Sequence, residues 1–166
     1  SSLCVGLDPE VTSIPDKFFS KKYTLNDSIE LFCKEVVRLT APNCSAFKPQ
    51  VAMFSSIGCE NTLINLTGWI KSNYPNHLLI IDSKRGDIGN TSSHYATESF
   101  KKYMGDICTV NPYMGTDSIE PFLKWKNKGI FVICKTSNPS SIEIQNLRLK
   151  SGEKVFEKIA SIAEKK

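Results

Sequence analysis

Five short apolar runs, each closing on a polar residue and each followed by a helix-like segment, constrain this chain more than any other feature. Residues 2–7 end at Asp8-Pro9, and residues 45–47 end at Lys48, with Pro49-Gln50 beyond. Leu79-Ile80-Ile81 ends in the charged turn Asp82-Ser83-Lys84-Arg85-Gly86-Asp87. Residues 107–110 end at Asn111-Pro112-Tyr113, and residues 130–134, opened by Gly129, end at Lys135-Thr136-Ser137-Asn138-Pro139. Between them the spacing of apolar residues predicts helices over 28–39, with Asp27 as cap, then over 59–72, 91–103, 118–126 and 152–166. Ile29, Phe32, Val36 and Val37 share one face of the first, and Leu63, Leu66 and Ile70 one face of the second.

Strands that alternate with helices are parallel and joined by crossovers, so the fold class is α/β. Two architectures remain. A closed (β/α)8 arrangement, the TIM barrel, gathers all its strand ends at one mouth, whereas a doubly wound sheet gathers ligand groups at a switch point. The barrel is preferred because every run contributes a polar residue at its C-terminal end. A full barrel takes about 250 residues, and five units use up the 166 residues here. The expectation is therefore one domain over residues 1–166, an incomplete barrel holding the first five βα units, with strands six to eight elsewhere and an open core.

Composition narrows the function. With 40% apolar and 23% charged residues, the chain reads as a globular protein, and a net charge of +4 without basic clusters argues against a nucleic-acid face. The six cysteines show no metal-type spacing and read as reduced, buried thiols, with Cys4, Cys108 and Cys134 inside strand-like runs. No signal peptide and no bilayer-length apolar stretch is evident, so the expected location is cytoplasmic, without a membrane partner.

The charged turn is the first candidate site. Side chains two apart on a strand point the same way, so Asp82 and Lys84 would stand side by side, with Asp87 beyond a turn that Gly86 frees. Such charges at the mouth of an apolar strand are costly to desolvate unless they pair or meet a ligand. The plain alternative is a solvated ion cluster on a loop. His77, in a polar loop, and His94, on a helix, are not read as catalytic.

The segment from Asp82 to Thr91, DSKRGDIGNT, closely resembles the D-x-K-x-x-D-I-x-N-T signature of orotidine 5'-monophosphate decarboxylases. Gly6-Leu7-Asp8-Pro9, Phe47-Lys48-Pro49-Gln50 and Lys135-Thr136-Ser137-Asn138-Pro139 are similar to that family's first, second and fifth strand ends, in the longer protozoan and bacterial branch. The resemblance implies decarboxylation of orotidine monophosphate to uridine monophosphate, a step of pyrimidine synthesis. It casts Lys84 as proton donor to C6 and Asp82 as the carboxylate facing the substrate's own. Lys48 would hold Asp82 and a ribose hydroxyl. Asp87 would complete the array in the other subunit of a homodimer, with Ile88 and Thr91 crossing the interface. Asp8 resembles the ribose-binding aspartate and Ser137 the pyrimidine-recognising residue, with Thr136, Gln50 and Asn111 as further substrate contacts. No metal, thiamine or pyridoxal is required by such chemistry. Two competitors stand beside it: a magnesium-dependent sugar-phosphate decarboxylase or aldolase of the same superfamily, and a non-catalytic nucleotide-binding remnant. The phosphate grip of such barrels follows strands seven and eight, so it is expected outside these residues, and the 166-residue piece alone is expected to be nearly inactive.

Overall fold

The computed structural model describes residues 2–165. Its five strands are β1 (Cys4–Leu7), β2 (Ala46–Pro49), β3 (Leu78–Arg85), β4 (Ile107–Val110) and β5 (Gly129–Val132), in the order β1-β2-β3-β4-β5 and all parallel. Sequential order without reversal is the order of a barrel wall, whereas a doubly wound sheet changes direction at its switch point. The wall and its helices are the first units of a (β/α)8 barrel.

Among the described residues, helices cover one face of the wall. Phe47, Leu79, Ile81, Cys108 and Val110 pack against Ile29, Cys33 and Val37 of α1 (Leu25–Thr40) and against Leu63, Leu66 and Ile70 of α3 (Glu60–Asn73). Phe100, in the π turn Glu98–Lys102 that continues α4 (Gly89–Thr97), meets Phe122 of α5 (Glu120–Leu123) edge-on at 6.3 Å. Strand parity sends the alternate residues to the other face. There Ala46 and Ile80 are buried, but Leu78 and Phe131 are 47% and 53% exposed, and no described residue covers them.

Several element boundaries depart from the sequence reading, each for a local reason. Helix α1 starts before Asp27 because Thr24 is its cap. The Thr24 hydroxyl accepts from the Asp27 N–H at 3.2 Å, and the Asp27 carboxylate accepts from the Thr24 N–H at 2.8 Å, a reciprocal box that places Asp27 one turn inside. The five-residue α2 (Val51–Ser55), which buries Val51 and Phe54, was not anticipated. Helix α5 is shorter than 118–126, and the chain turns at Asn127, whose φ is +59°. Helix α6 is Val155–Glu164, and Lys166 lies outside the described residues. The thiols also divide. Cys33, Cys44, Cys59 and Cys108 are buried, but Cys4 is exposed because it stands on the uncovered face of β1, and Cys134 lies half-buried past the end of β5. Burial pushes the Cys33 and Cys108 thiols up to about 12.

At the N-terminal end of the wall, Asp106 ties three elements together. Its carboxylate accepts from Lys71 of α3 at 2.8 and 3.0 Å, from Lys128 ahead of β5 at 3.4 Å, and from the Leu79 N–H of β3 at 2.9 Å. Burial alone would raise this carboxyl, but the bonds from Lys71 and Leu79 outweigh it and hold it below the usual carboxylate range. A depressed folded value means stability fully present above the unfolded pKa of about 3.9 and lost as pH falls through the folded value. Asp106→Ala is therefore expected to lower unfolding free energy by about 2 kcal/mol near neutral pH, by leaving an N–H and two lysines unpaired. Urea titration at neutral pH and again near pH 3 checks this: the gap between native and variant narrows in acid, and a gap that does not narrow removes the carboxylate from the argument.

Candidate active site

Three charged groups meet at the C-terminal rim of β2 and β3. Lys48, near the end of β2, donates to Asp82 Oδ2 at 2.8 Å, and Lys84 donates to Asp82 Oδ1 at 2.6 Å. Asp82 is 6% exposed, so the carboxylate sits under its partners, while the Lys84 side chain is half open to solvent. Burial would raise the Asp82 carboxyl. Hydrogen bonds from Lys48, Lys84 and Thr109 together reverse that and keep it ionised below the usual range. For Lys48, burial acts to lower the ammonium, but its bond and charge pairing with Asp82 prevail and raise it. One buried carboxylate between two ammonium groups leaves a local excess of positive charge aimed at the mouth, an arrangement that suits an anionic ligand.

Parity alone does not bring Asp82 and Lys84 together. Strand β3 advances from Ile81 to Arg85 while its neighbour β4 advances only from Cys108 to Val110, so β3 bulges here. Within the bulge Lys84 takes a φ of +48°, a left-handed conformation that costs a residue with a side chain about 1 kcal/mol or more. The strain sits on Lys84 and not on Gly86, which the sequence reading had made the turning point. Gly86 serves another purpose: a Cβ there would lie 2.4 Å from the Asn111 carbonyl oxygen, so only glycine lets the exits of β3 and β4 pass this closely.

The remaining predicted site residues are distributed around this array. Asp8, exposed at the end of β1, is near enough to add to the field that favours charged Lys48. Gln50 caps α2 and pairs by backbone with Asp82. Asn111 follows β4, and its side-chain oxygen accepts from the Tyr113 N–H at 3.0 Å. Thr136 follows β5 and is held by Gln145, whose amide oxygen accepts from its N–H at 2.9 Å and whose amide nitrogen donates to its hydroxyl at 2.8 Å. Ser137 is exposed beside it. Lys84, Asn111, Ile133, Thr136 and Ile144 border a cavity of about 410 Å³, ample for a planar ring. Asp87, Ile88 and Thr91 stay apart from it. Asp87 Oδ1 accepts from the Ile88 N–H at 2.7 Å, Ile88 is 59% exposed, and Thr91 is exposed in the first turn of α4. His77 is at the far end of β3, stacked on Phe47 with ring centroids 5.3 Å apart, and His94 is exposed on α4.

Thr109 was missed by the sequence reading, which saw only a strand residue. Its signal was nonetheless present: it is the lone polar side chain in Ile107–Val110, and parity places it on the face opposite Cys108 and Val110.

A parallel β/α wall whose C-terminal rim carries a buried carboxylate paired with two lysines has the form of a β/α barrel with a charged site at its strand ends. The chain belongs to the orotidine 5'-phosphate decarboxylase / HUMPS family, whose model matches residues 1–166. An orotidine 5'-phosphate decarboxylase from Bordetella petrii is 42% identical over 160 residues, covering 96% of this chain and 57% of that protein. One from Aromatoleum aromaticum is 42% identical over 162 residues, covering 98% and 58%. Among solved structures, Leishmania donovani OMP decarboxylase superposes with a TM-score of 0.82 at 32% identity, covering 97% of this chain and 59% of that one. Leishmania donovani UMP synthase gives 0.84 at 33%, covering 99% and 34%. The chain thus spans somewhat under three-fifths of the curated relatives it matches.

Proposed function

We propose that the protein is an orotidine 5'-monophosphate decarboxylase, converting orotidine monophosphate to uridine monophosphate without a cofactor. The observation that carries this reading is the Lys48–Asp82–Lys84 array at the rim, with contacts of 2.8 and 2.6 Å. When the C6–carboxyl bond breaks, carbon dioxide departs and the electron pair stays on C6, where no ketone or imine absorbs it. The Lys84 ammonium faces the developing charge and transfers a proton to C6, then regains one from solvent. At an effective dielectric near 20, opposite charges at 4 Å attract by about 4 kcal/mol. Decarboxylases that need a larger reduction of the barrier must draw the rest from preorganisation and remote binding energy. Asp82, ionised and fixed by three donors, faces the substrate carboxylate and raises the energy of the bound acid relative to the product.

The remaining roles are those that the resemblance of the strand ends implies. Lys48 and Asp8 take the ribose, Ser137 and Thr136 the pyrimidine, and Gln50 and Asn111 line the approach. Asp87, Ile88 and Thr91 reach the site of a second subunit in a homodimer, a reading supported by the exposed Ile88 and by all three standing outside the lining of the cavity beside Lys84. The 166 residues are five units of a longer single barrel, supported by the uncovered inner face and by the length of the relatives. The phosphate grip then lies outside them. Cytoplasmic action fits six free thiols, and among the described residues no helix is long and apolar enough to cross a membrane.

The test is release of carbon dioxide from carboxyl-labelled orotidine monophosphate by the full-length protein, with uridine monophosphate as competitor. Nucleotide binding with no release above the protein-free rate would leave a binding protein. Release abolished by a chelator and restored by magnesium would overturn the cofactor-free mechanism.

A further inference from the structure

The Thr109 hydroxyl makes three hydrogen bonds, which is all a hydroxyl can make. It accepts from the Ser83 N–H at 3.0 Å and from the Lys84 N–H at 2.9 Å, and it donates to Asp82 Oδ1 at 2.9 Å. The first two donors are the N–H groups that the β3 bulge takes out of the ladder with β4. With both lone pairs engaged by backbone, the hydroxyl proton has one direction left, and it points at the carboxylate that also holds Lys84. The same atom therefore bonds the strained backbone at Lys84, φ +48°, and the charge that the Lys84 ammonium pairs with.

We propose that Thr109 is a positioning residue of this site, whose saturated hydroxyl fixes the bulge carrying Lys84 and directs its one hydrogen bond as donor onto the ionised Asp82 carboxylate. The inference rests on the decarboxylase reading for its kinetic consequence but not for its structural one. Thr109 acts through Asp82 and Lys84, and its contribution is to orient both before substrate arrives. The groups facing Asp82 are Lys48 from β2, Lys84 from its own strand, and Cys4 from β1, with Asp8 acting through Lys48, so loss of the Thr109 bond leaves a recognisable change in one carboxyl among known neighbours.

Three measurements on the full-length protein separate this from a packing role. Thr109→Val keeps the shape and removes all three bonds, while Thr109→Ser keeps the hydroxyl. The valine variant is expected to lose about 10- to 100-fold in kcat with KM changed less than about threefold, and serine to stay within about fivefold of native. By carbon-13 NMR, the Asp82 carboxyl of the valine variant titrates at higher pH than in the native or serine protein. In the unmutated protein, the Thr109 hydroxyl proton exchanges with water more slowly than those of exposed threonines. Equal losses in valine and serine, an unmoved Asp82 titration, or fast hydroxyl exchange would overturn the assignment. The exchange measurement stands even where Thr109→Val does not fold. Neither NMR readout needs turnover, so an inactive native protein with a slow hydroxyl and a shifted titration would sink the decarboxylase reading and leave the positioning role intact.

Discussion

Asp82→Asn in the full-length protein is expected to lower kcat by about 10³-fold without raising KM. The substitution keeps the shape of the side chain and removes the charge that Lys48 and Lys84 share. An amide has one acceptor oxygen, so its NH2 group must face one of the two ammonium groups, donor against donor. Lys84 then loses its 2.6 Å tether and is pushed toward solvent, to which it is already half open. Loss of one preorganised group in a water-poor site costs about 10²- to 10³-fold, and displacement of the proton donor places this case at the upper end. The binding side moves the other way. With its carboxylate gone, the site no longer repels the substrate's own, so the nucleotide binds as tightly as before or more tightly. A variant that loses affinity and keeps its turnover would show that Asp82 only holds ligand.

Lys84→Ala is expected to have the largest effect of any single substitution, at least about 10⁴-fold in kcat, because proton donor and countercharge vanish together. Affinity for uridine monophosphate should change by less than about tenfold, since the cavity walls formed by Asn111, Ile133 and Thr136 remain. The backbone supplies an internal control. At φ +48° alanine is as strained as lysine, whereas glycine is not. Lys84→Gly should therefore unfold about 1 kcal/mol later than Lys84→Ala in urea while being equally inactive. A residue kept in a strained conformation at a cost in stability, where glycine would relax it, is expected of a functional side chain. If alanine and glycine variants unfold together, the strain argument fails.

The wall and the array were legible in the sequence for the same reason. Strand parity and helix periodicity are local, so the runs from Cys4 to Val132 and the ends carrying Lys48, Asp82 and Lys84 can be read one by one. The parallel direction of the strands follows from their alternation with helices, and the barrel order was preferred because every run closes on a polar residue. Illegible were features set by contact between segments distant in the chain. The β3 bulge exists only against β4, so neither the left-handed Lys84 nor the bond from Thr109 is written in DSKRGD itself. Gly86 was noticed for the wrong reason, because its neighbour across the sheet, Asn111, is 25 positions later by the numbering. The exposed Cys4 was misjudged because an apolar run says that a strand is buried somewhere but not which face is covered.

The most direct test of Lys84 as proton donor uses the product. If an ammonium at this position protonates C6 in the forward direction, the same amine must remove that hydrogen in reverse. The full-length protein, incubated with uridine monophosphate in deuterium oxide and followed by proton NMR, should lose the C6 proton signal faster than nucleotide alone, and Lys84→Ala should not. Equal C6 exchange in the native protein and the alanine variant, with nucleotide shown to be bound in both, would contradict the assignment.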